Sequence, residues 1–397
     1  MTASARPGPP AVGLVGASGM VGSAAAAALR KLGVESIRLG ARRIDGVRRV
    51  LADVLDGRGE IMAVNATDPV SLTRFCAGCQ VVLNCAGPTY LLRDTVAVAA
   101  VAVGAHYIDV AGDDPAWEGM AARGLAGTDR AVVFSAGTLP GLSSILPRWL
   151  AATGFGRPTT LTAHVGGREP CSPVVATDMI LSLSIGGADG AAFGEPLAAW
   201  RGGARRPRAL RAASNAVAPF FPGPVGMTPF LSSETVRLAR ALGLDDVDWF
   251  NVYPGPAVHA EMQRMPGYAR EPGTDLAEVG ARLHRAAALD LVGRTPFYLM
   301  VFSMRGTPPD DAGTEIRRTL VLRTSSSYQL TGLVGALAAR AALDGALPAG
   351  LHFACDVLDP HAVVREIREA GGSSLVEMHG YVRGADIGDD VVEEGAL

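Results

Sequence analysis

At 397 residues the chain is long enough for two domains, each with a substantial core, and 48% hydrophobic with 19% charged residues fits a water-soluble globular enzyme. A formal charge of -3 gives no electrostatic footprint for nucleic acid, the basic stretch 201–211 being local. Five cysteines, an odd number, form no disulfide framework and point to a reducing compartment.

In chain order, residues 1–10 are small and proline-rich, with no apolar core of signal-peptide length, and the alanine run from Ala24 reads as an amphipathic helix rather than a membrane span. A cytoplasmic protein without membrane contact is expected. Val12-Gly13-Leu14-Val15-Gly16-Ala17-Ser18-Gly19-Met20-Val21-Gly22 reads as strand, glycine turn and helix start. Gly16 permits the sharp turn, Gly19 lets backbone amides approach a pyrophosphate, and Gly22 lets the helix pack on the strand. Free amides and the positive dipole end, expected at 23–28, favour an anion there.

Short apolar runs predict strands at 12–15, 36–40, 61–64, 81–85, 106–109 and 131–135, with helical spacing at 23–32, 69–77 and 92–103. That rhythm predicts a doubly wound parallel sheet of six strands, an N-terminal Rossmann domain over 1–144. Cys76 and Cys79 have CxxC spacing, but no second pair completes a zinc site, and the seven histidines show no ligand spacing, so no metal is expected.

Beyond Gly141 the connections become rich in Gly and Pro, and 159–166 and 316–324 alternate as half-exposed antiparallel strands do. An α+β substrate and dimerisation domain with a mostly antiparallel sheet is expected over 145–325. Its segment 200–227 lacks periodicity and reads as a surface excursion or lid. Helices at 328–343 and 359–370, the latter capped by Asp359 with Pro360 at its first position, place the remainder, 326–397, back at the domain interface. The acidic residues 386–397 read as a frayed end.

Several residues carry candidate chemistry. The second strand ends in Gly40-Ala41-Arg42-Arg43, without the acid that bonds a ribose 2′-hydroxyl; two arginines suit a 2′-phosphate and hence NADPH, the alternative being a solvated pair. The expected cofactor set is Gly16, Ser18, Gly19, Met20, Val21, Gly22, Arg42, Arg43, Asn65, Cys85, Ala86, Gly87 and Pro88. The run Asn84 to Pro88 lies at a strand carboxyl end, where a doubly wound sheet binds ligand; Cys85, without a basic neighbour, reads as a packed residue. Tyr90 is either a proton donor or an aromatic packed under the site. Asp109 and Asp113 either cap turns or face the cleft. The stretch 249–261 mixes aromatic and titratable groups as a pocket wall does, and its His259 is a second candidate donor or a bonded structural histidine. Arg168 and Glu169 are further candidates or a solvated strand end.

The glycine loop, Asn84-Cys85-Ala86-Gly87-Pro88, Gly104-Ala105-His106-Tyr107-Ile108-Asp109-Val110-Ala111-Gly112-Asp113 and Ala136-Gly137-Thr138-Leu139-Pro140-Gly141-Leu142-Ser143 resemble the saccharopine dehydrogenase-like family. The resemblance covers the first 145 residues well and the remainder loosely. It implies reduction or formation of carbon–nitrogen bonds with NAD(P)(H); some relatives reduce a thiazoline tethered to a peptide synthetase. Where the family has Phe after Cys-Ala-Gly-Pro, this chain has, after Thr89, Tyr90.

The expectation is an NADPH-dependent C=N reductase, specifically a thiazolinyl imine reductase of siderophore or peptide assembly, working as a homodimer on a free or carrier-tethered imine and meeting a peptide synthetase carrier domain. The rivals are a saccharopine-type or amino-acid dehydrogenase on a free metabolite, which calls for convergent arginines, and a non-catalytic NADP-binding protein. No Gly-x-Ser-x-Gly elbow, Gly-x-x-x-x-Gly-Lys-Ser/Thr loop or Ser-x-x-Lys pair appears, which removes the common hydrolase and ATPase readings.

Overall fold

The computed structural model describes residues 11–182, 193–268, 273–311 and 313–381. Strand and helix alternate first: β1 (Val12–Val15), α1 (Met20–Lys31), β2 (Ile37–Ala41), α2 (Ile44–Asp53), β3 (Glu60–Ala63), α3 (Pro69–Cys76), β4 (Val81–Asn84), α4 (Thr89–Leu92), α5 (Thr95–Ala102), β5 (His106–Asp109), α6 (Asp114–Ala122) and β6 (Ala131–Phe134). After α7 (Leu142–Gly154) come β7 (Arg157–Arg168), α8 (Pro173–Leu181), β8 (Gly194–Pro196), β9 (Ala199–Arg201), β10 (Ala204–Arg206), β11 (Ala213–Ala216), β12 (Val225–Ser232), α9 (Ser233–Leu242), β13 (Asp246–Tyr253), α10 (Pro256–Tyr268), α11 (Leu276–Asp290), β14 (Phe297–Thr307) and β15 (Ile316–Thr324). Then follow α12 (Ser327–Leu343), β16 (Gly350–Phe353), α13 (Ala354–Val357), α14 (Pro360–Ala370) and β17 (Ser373–Tyr381).

The first sheet is parallel throughout, in the order β16-β6-β5-β4-β1-β2-β3. Its inner strands are buried on both faces because both are covered, whereas the edge strand β3 is partly exposed. Val12 and Leu14 join a core with Ala25 of α1 and Val334 of α12, while Val15 joins Phe75, Tyr107 and Phe134 under α3, α5 and α6. The sheet has seven strands rather than the expected six, since residues 350–353 return from the far end of the chain to pair with β6. Gly332 on α12 admits that return: a Cβ there would lie 2.6 Å from Ala25 N, so the two helices meet backbone to backbone.

Two helical expectations are corrected. The first helix starts at Met20, not residue 23, because Gly19 already serves as its N-cap. The helix expected over 92–103 is present but starts later, at Thr95, because Arg93, with a φ of 48° that no helix accommodates, separates it from the short α4 that ends at Leu92.

The second sheet is mixed and mostly antiparallel, as expected, and runs β10-β9-β13-β7-β14-β15-β17, with β12 also on β13. The segment 159–166 lies within β7, which is antiparallel to β14 but parallel to β13, so it is an interior strand rather than part of an antiparallel pair alone. Residues 200–227 are not a featureless loop. They hold the β9–β10 hairpin, turned at Gly202-Gly203 with φ of 54° and 77°, and β11 paired with β12. Leu146 of α7, Ala338 of α12 and Leu161 and Phe302 of the second sheet share one core with Leu14 and Val133 of the first, so the sheets are held together by α7 and α12. Asp359 caps α14 by accepting the His361 N–H at 3.0 Å, with Pro360 in the first turn. Among the described residues no helix is long and apolar enough to cross a membrane. The acidic residues 386–397 and residues 1–10 lie outside the described residues.

Candidate active site

The glycine loop is built by close backbone contacts. Gly16, at φ 82°, donates its N–H to Gly40 O at 2.8 Å, and a Cβ on it would lie 2.7 Å from Ala86 N and Cys85 C. The loops after β1, β2 and β4 therefore converge on one glycine. At Gly22 a Cβ would come within 2.2 Å of Gly16 O. Gly19 differs: its nearest Cβ neighbour would be 3.4 Å away, so it faces open space, and it caps α1 with no side-chain hydrogen bond. The first intrahelical bond runs from Ser23 N–H to Gly19 O at 2.9 Å, which leaves the amides of Met20, Val21 and Gly22 for an anion, three residues earlier than the sequence suggested. Ser18 is exposed beside them.

Arg42 and Arg43 are exposed at the end of β2, Arg43 as the N-cap of α2, and among the described residues neither makes a hydrogen bond or ion pair. Two unpartnered guanidinium groups at this place fit a 2′-phosphate, which takes both in fork geometry. Asn65 is exposed after β3, and its Oδ1 accepts from Thr67 N–H (3.2 Å) and Thr67 Oγ1–H (3.0 Å), so it stitches the turn beside the groove. The residues present thus fit a dinucleotide with a 2′-phosphate.

Beyond β4, Asn84 donates to Asp109 Oδ2 (3.0 Å) and accepts from Ala86 N–H (3.1 Å), which fixes the turn carrying Cys85, Ala86 and Gly87. Asp109 also accepts Tyr107 Oη–H (2.5 Å) and the N–H groups of Ala111 and Gly112, so its role is to tie two loops. Burial, then the Asp109 charge, push the Cys85 thiol up and keep it neutral. Pro88 is the N-cap of α4, whose first two N–H groups, of Thr89 and Tyr90, are held by the second domain: Asp178 on α8 accepts them at 3.0 and 3.1 Å. Burial raises the Asp178 carboxyl to about 6.

Two adjoining cavities open here. One, about 350 Å³, is walled by Val21, Cys85, Ala86, Gly87, Thr138 and Arg168. The other, about 290 Å³, is apolar and lined by Tyr90, Met179, Phe193, Phe230, Trp249 and Met265 among others. Asp178, Asn251 and Tyr253 line both. Tyr90 packs 6.0 Å from the Phe193 ring. Burial and the nearby Asp113 charge push its phenol up, so it keeps its proton.

His259 lines neither cavity. Its ring stacks on Tyr253 at 5.8 Å, reaches Gln263 at 3.4 Å, and occupies the space that a Cβ on Gly226 would need. Asp113 caps α6 and pairs with Arg237 of α9 at 3.2 Å, while Asp114 pairs with the same guanidinium. Glu234, one turn earlier on α9, is buried and accepts Gly141 N–H (2.9 Å) and Ser143 Oγ–H (2.6 Å). Asp178, Glu234 and Arg237 were not singled out from the sequence. Neither α8, apolar nearly all round, nor the amphipathic α9 carries a motif there, and only the fold brings these residues to the first domain. Among the described residues no three His, Cys, Asp or Glu side chains are grouped to hold a metal.

Residues 12–130 match the saccharopine dehydrogenase NADP binding domain family. Comparison with curated proteins finds no significant match. Among solved structures the chain is similar to an apo, histidine-tagged saccharopine dehydrogenase (L-Glu forming) from Saccharomyces cerevisiae, with a TM-score of 0.62 and 15% identity over 93% of this chain and 99% of that one. It is also similar to a triphenylmethane reductase from Citrobacter sp., at 22% identity and a TM-score of 0.22 over 25% of this chain and 37% of that one. Residues 12–130 are thus an NADP-binding domain of the saccharopine dehydrogenase type, and the fold of the chain as a whole is similar to that of a saccharopine dehydrogenase.

Proposed function

We propose that the protein is an NADPH-dependent oxidoreductase that reduces the C=N bond of a substrate with an apolar body. The observation that carries this reading is the apolar cavity of Tyr90, Phe193, Phe230 and Trp249, which adjoins the Cys85–Gly87 turn where a doubly wound sheet places its ligand's reactive end. Gly16, Gly19 and the amides of Met20 to Gly22 would hold the pyrophosphate, and Arg42 and Arg43 the 2′-phosphate. Bound NADPH supplies a hydride to the imine carbon.

This chain's own groups do the rest. As the π pair moves to nitrogen, nitrogen needs a proton, and Tyr90 Oη is a protonated donor on the cavity wall. Asp178 holds the Thr89 and Tyr90 amides and so fixes the ring's starting point against the second domain. The aromatic and methionine side chains exclude water, and much of the rate comes from alignment. An aryl thiazolinyl imine of siderophore or peptide assembly, free or carrier-tethered, is the specific substrate proposed; the aromatic lining suits it. A saccharopine-like tricarboxylate suits the lining less, since among the described residues Arg168 is the one arginine lining the larger cavity and none lines the smaller.

The test is NADPH consumption at 340 nm with a panel of aryl thiazolines, apolar cyclic imines and lysine-derived imines. Turnover of the apolar members is expected. Turnover of the lysine-derived imines alone would favour the amino-acid dehydrogenase reading, and tight NADPH binding without turnover of any member would favour a binding protein.

A further inference from the structure

Where the two cavities adjoin, nearly every charged group has its partners within the protein. Asp178 accepts the two α4 amides. Asp290 accepts the Ala257 and Val258 N–H groups at 3.1 and 2.8 Å. Glu169 accepts the Ser327 N–H at 2.9 Å and the Ser327 hydroxyl. Arg168, the last residue of β7, is the exception. Among the described residues it is the one basic side chain lining the larger cavity; its Nε is buried with no partner, and its guanidinium makes no hydrogen bond or ion pair there. The group rests on the Phe297 ring, 5.3 Å from the centroid, which fixes the plane of its fork. A buried donor without an acceptor is a standing cost, so the unmet need of this cleft is for an anion rather than a cation.

We propose that Arg168 anchors a carboxylate of the substrate, and that the substrate is a free imino acid with a single carboxylate and an apolar end, not a carrier-bound thioester. This rests on the reductase reading above. A carboxylate matches the guanidinium fork with two parallel bonds, whereas a thioester carbonyl offers no charge and one acceptor. With the carboxylate at Arg168 and the apolar end among Phe230, Trp249 and Met265, the atoms between them lie along the wall shared by both cavities, at Asp178, Asn251 and Tyr253.

The experiment pairs each apolar cyclic imino acid with its methyl ester, on wild type, Arg168→Met and Arg168→Lys. Wild type is expected to prefer the acid by at least about thirtyfold in kcat/KM. Arg168→Met is expected to lose roughly a hundredfold on the acid, mainly in KM, with the ester within about threefold, and Arg168→Lys to recover part of the loss. Equal use of acid and ester by wild type, or equal losses on both in Arg168→Met, overturns the proposal. So does a matching loss in NADPH affinity, which would assign the arginine to the cofactor. A second readout needs no turnover: quenching of tryptophan fluorescence, Trp249 being in the cavity wall, by 3-phenylpropionate against 3-phenylpropanamide. Preference for the acid that vanishes in Arg168→Met supports the anchor even if no imine is reduced, and absence of that preference refutes it even if imines are reduced.

Discussion

Gly19 and Gly22, three residues apart, separate folding from cofactor binding. At Gly22 a Cβ would lie 2.2 Å from Gly16 O, a backbone atom that cannot turn aside, so Gly22→Ala must push the start of α1 away from the loop by about 1 Å. Overpacking of that kind costs about 1–3 kcal/mol, a drop in Tm of several degrees, and it displaces the amides of Met20 to Gly22 as well. At Gly19, with φ -78° and ψ 167°, alanine is sterically allowed, and the nearest atom to its Cβ would be 3.4 Å away. Gly19→Ala should therefore change the stability of the protein without NADPH by no more than about 1 kcal/mol. Its methyl group would occupy the approach to the first-turn amides, so the NADPH Kd should rise by roughly thirtyfold, about 2 kcal/mol. Urea denaturation and fluorescence titration with NADPH measure the two quantities on the same samples. Wild-type NADPH affinity in Gly19→Ala would refute the placement of the pyrophosphate. A stability loss at Gly19 equal to that at Gly22 would refute the geometric argument.

Replacing both Arg42 and Arg43 with alanine should weaken NADPH by roughly thirtyfold or more and NADH by less than about threefold, read by parallel titrations; equal losses would remove the 2′-phosphate assignment. Tyr90→Phe keeps the ring on Phe193 and removes the proton, so kcat should fall by roughly a hundredfold with little change in KM, whereas an unchanged kcat would assign the proton to water or another group. Asp178, raised by burial to about 6, binds its proton more readily in the folded chain than in the unfolded one. Its contribution to stability is thus greatest below about pH 4, falls by about 3 kcal/mol as pH rises, and is gone above about pH 6. Asp178→Asn lacks that fall, so its Tm relative to wild type should climb between pH 4 and 7; parallel Tm profiles would contradict the assignment. His259→Ala opens space beside Tyr253 and Gly226, so it should lower Tm by several degrees while leaving the pH profile of kcat unchanged; a lost limb in that profile would restore His259 as a proton donor.

Much of the first domain could be read from the sequence because its physics is local. Doubly buried parallel strands are continuous apolar runs, Gly16 and Gly22 sit where backbone contacts leave no space for a Cβ, and Gly19 sits at the open start of α1. The seventh strand escaped such reading: Gly350–Phe353 is four residues whose partner lies more than two hundred positions earlier, and nothing local marks that pairing. The start of α1 was misplaced because Met20 and Val21 look like loop residues until Gly19 is recognised as a cap. Residues 200–227 carried a signal, Gly202-Gly203 between two short runs, but β9 and β10 are too short for alternation to show.

The site divides in the same way. The groove proposed for the cofactor is made of loops after successive strands and is legible from their motifs. The two adjoining cavities are assembled from α8, β7, β12 and β13 among others, so the interdomain contact of Asp178, the pairing of Arg237 with Asp113 and the unpartnered state of Arg168 appear only once the chain is folded. Tyr90 was visible because it follows a recognisable turn, and its place in an aromatic cavity was not.

The proposed reaction is hydride transfer from NADPH to the carbon of a C=N bond. Its most direct measurement is the mass of the amine formed when the protein turns over an apolar imine with NADPH deuterated at the transferable position. One deuterium on the former imine carbon is expected for each NADPH consumed. An amine without deuterium, or NADPH that binds tightly and is never oxidised across the imine panel, would contradict it.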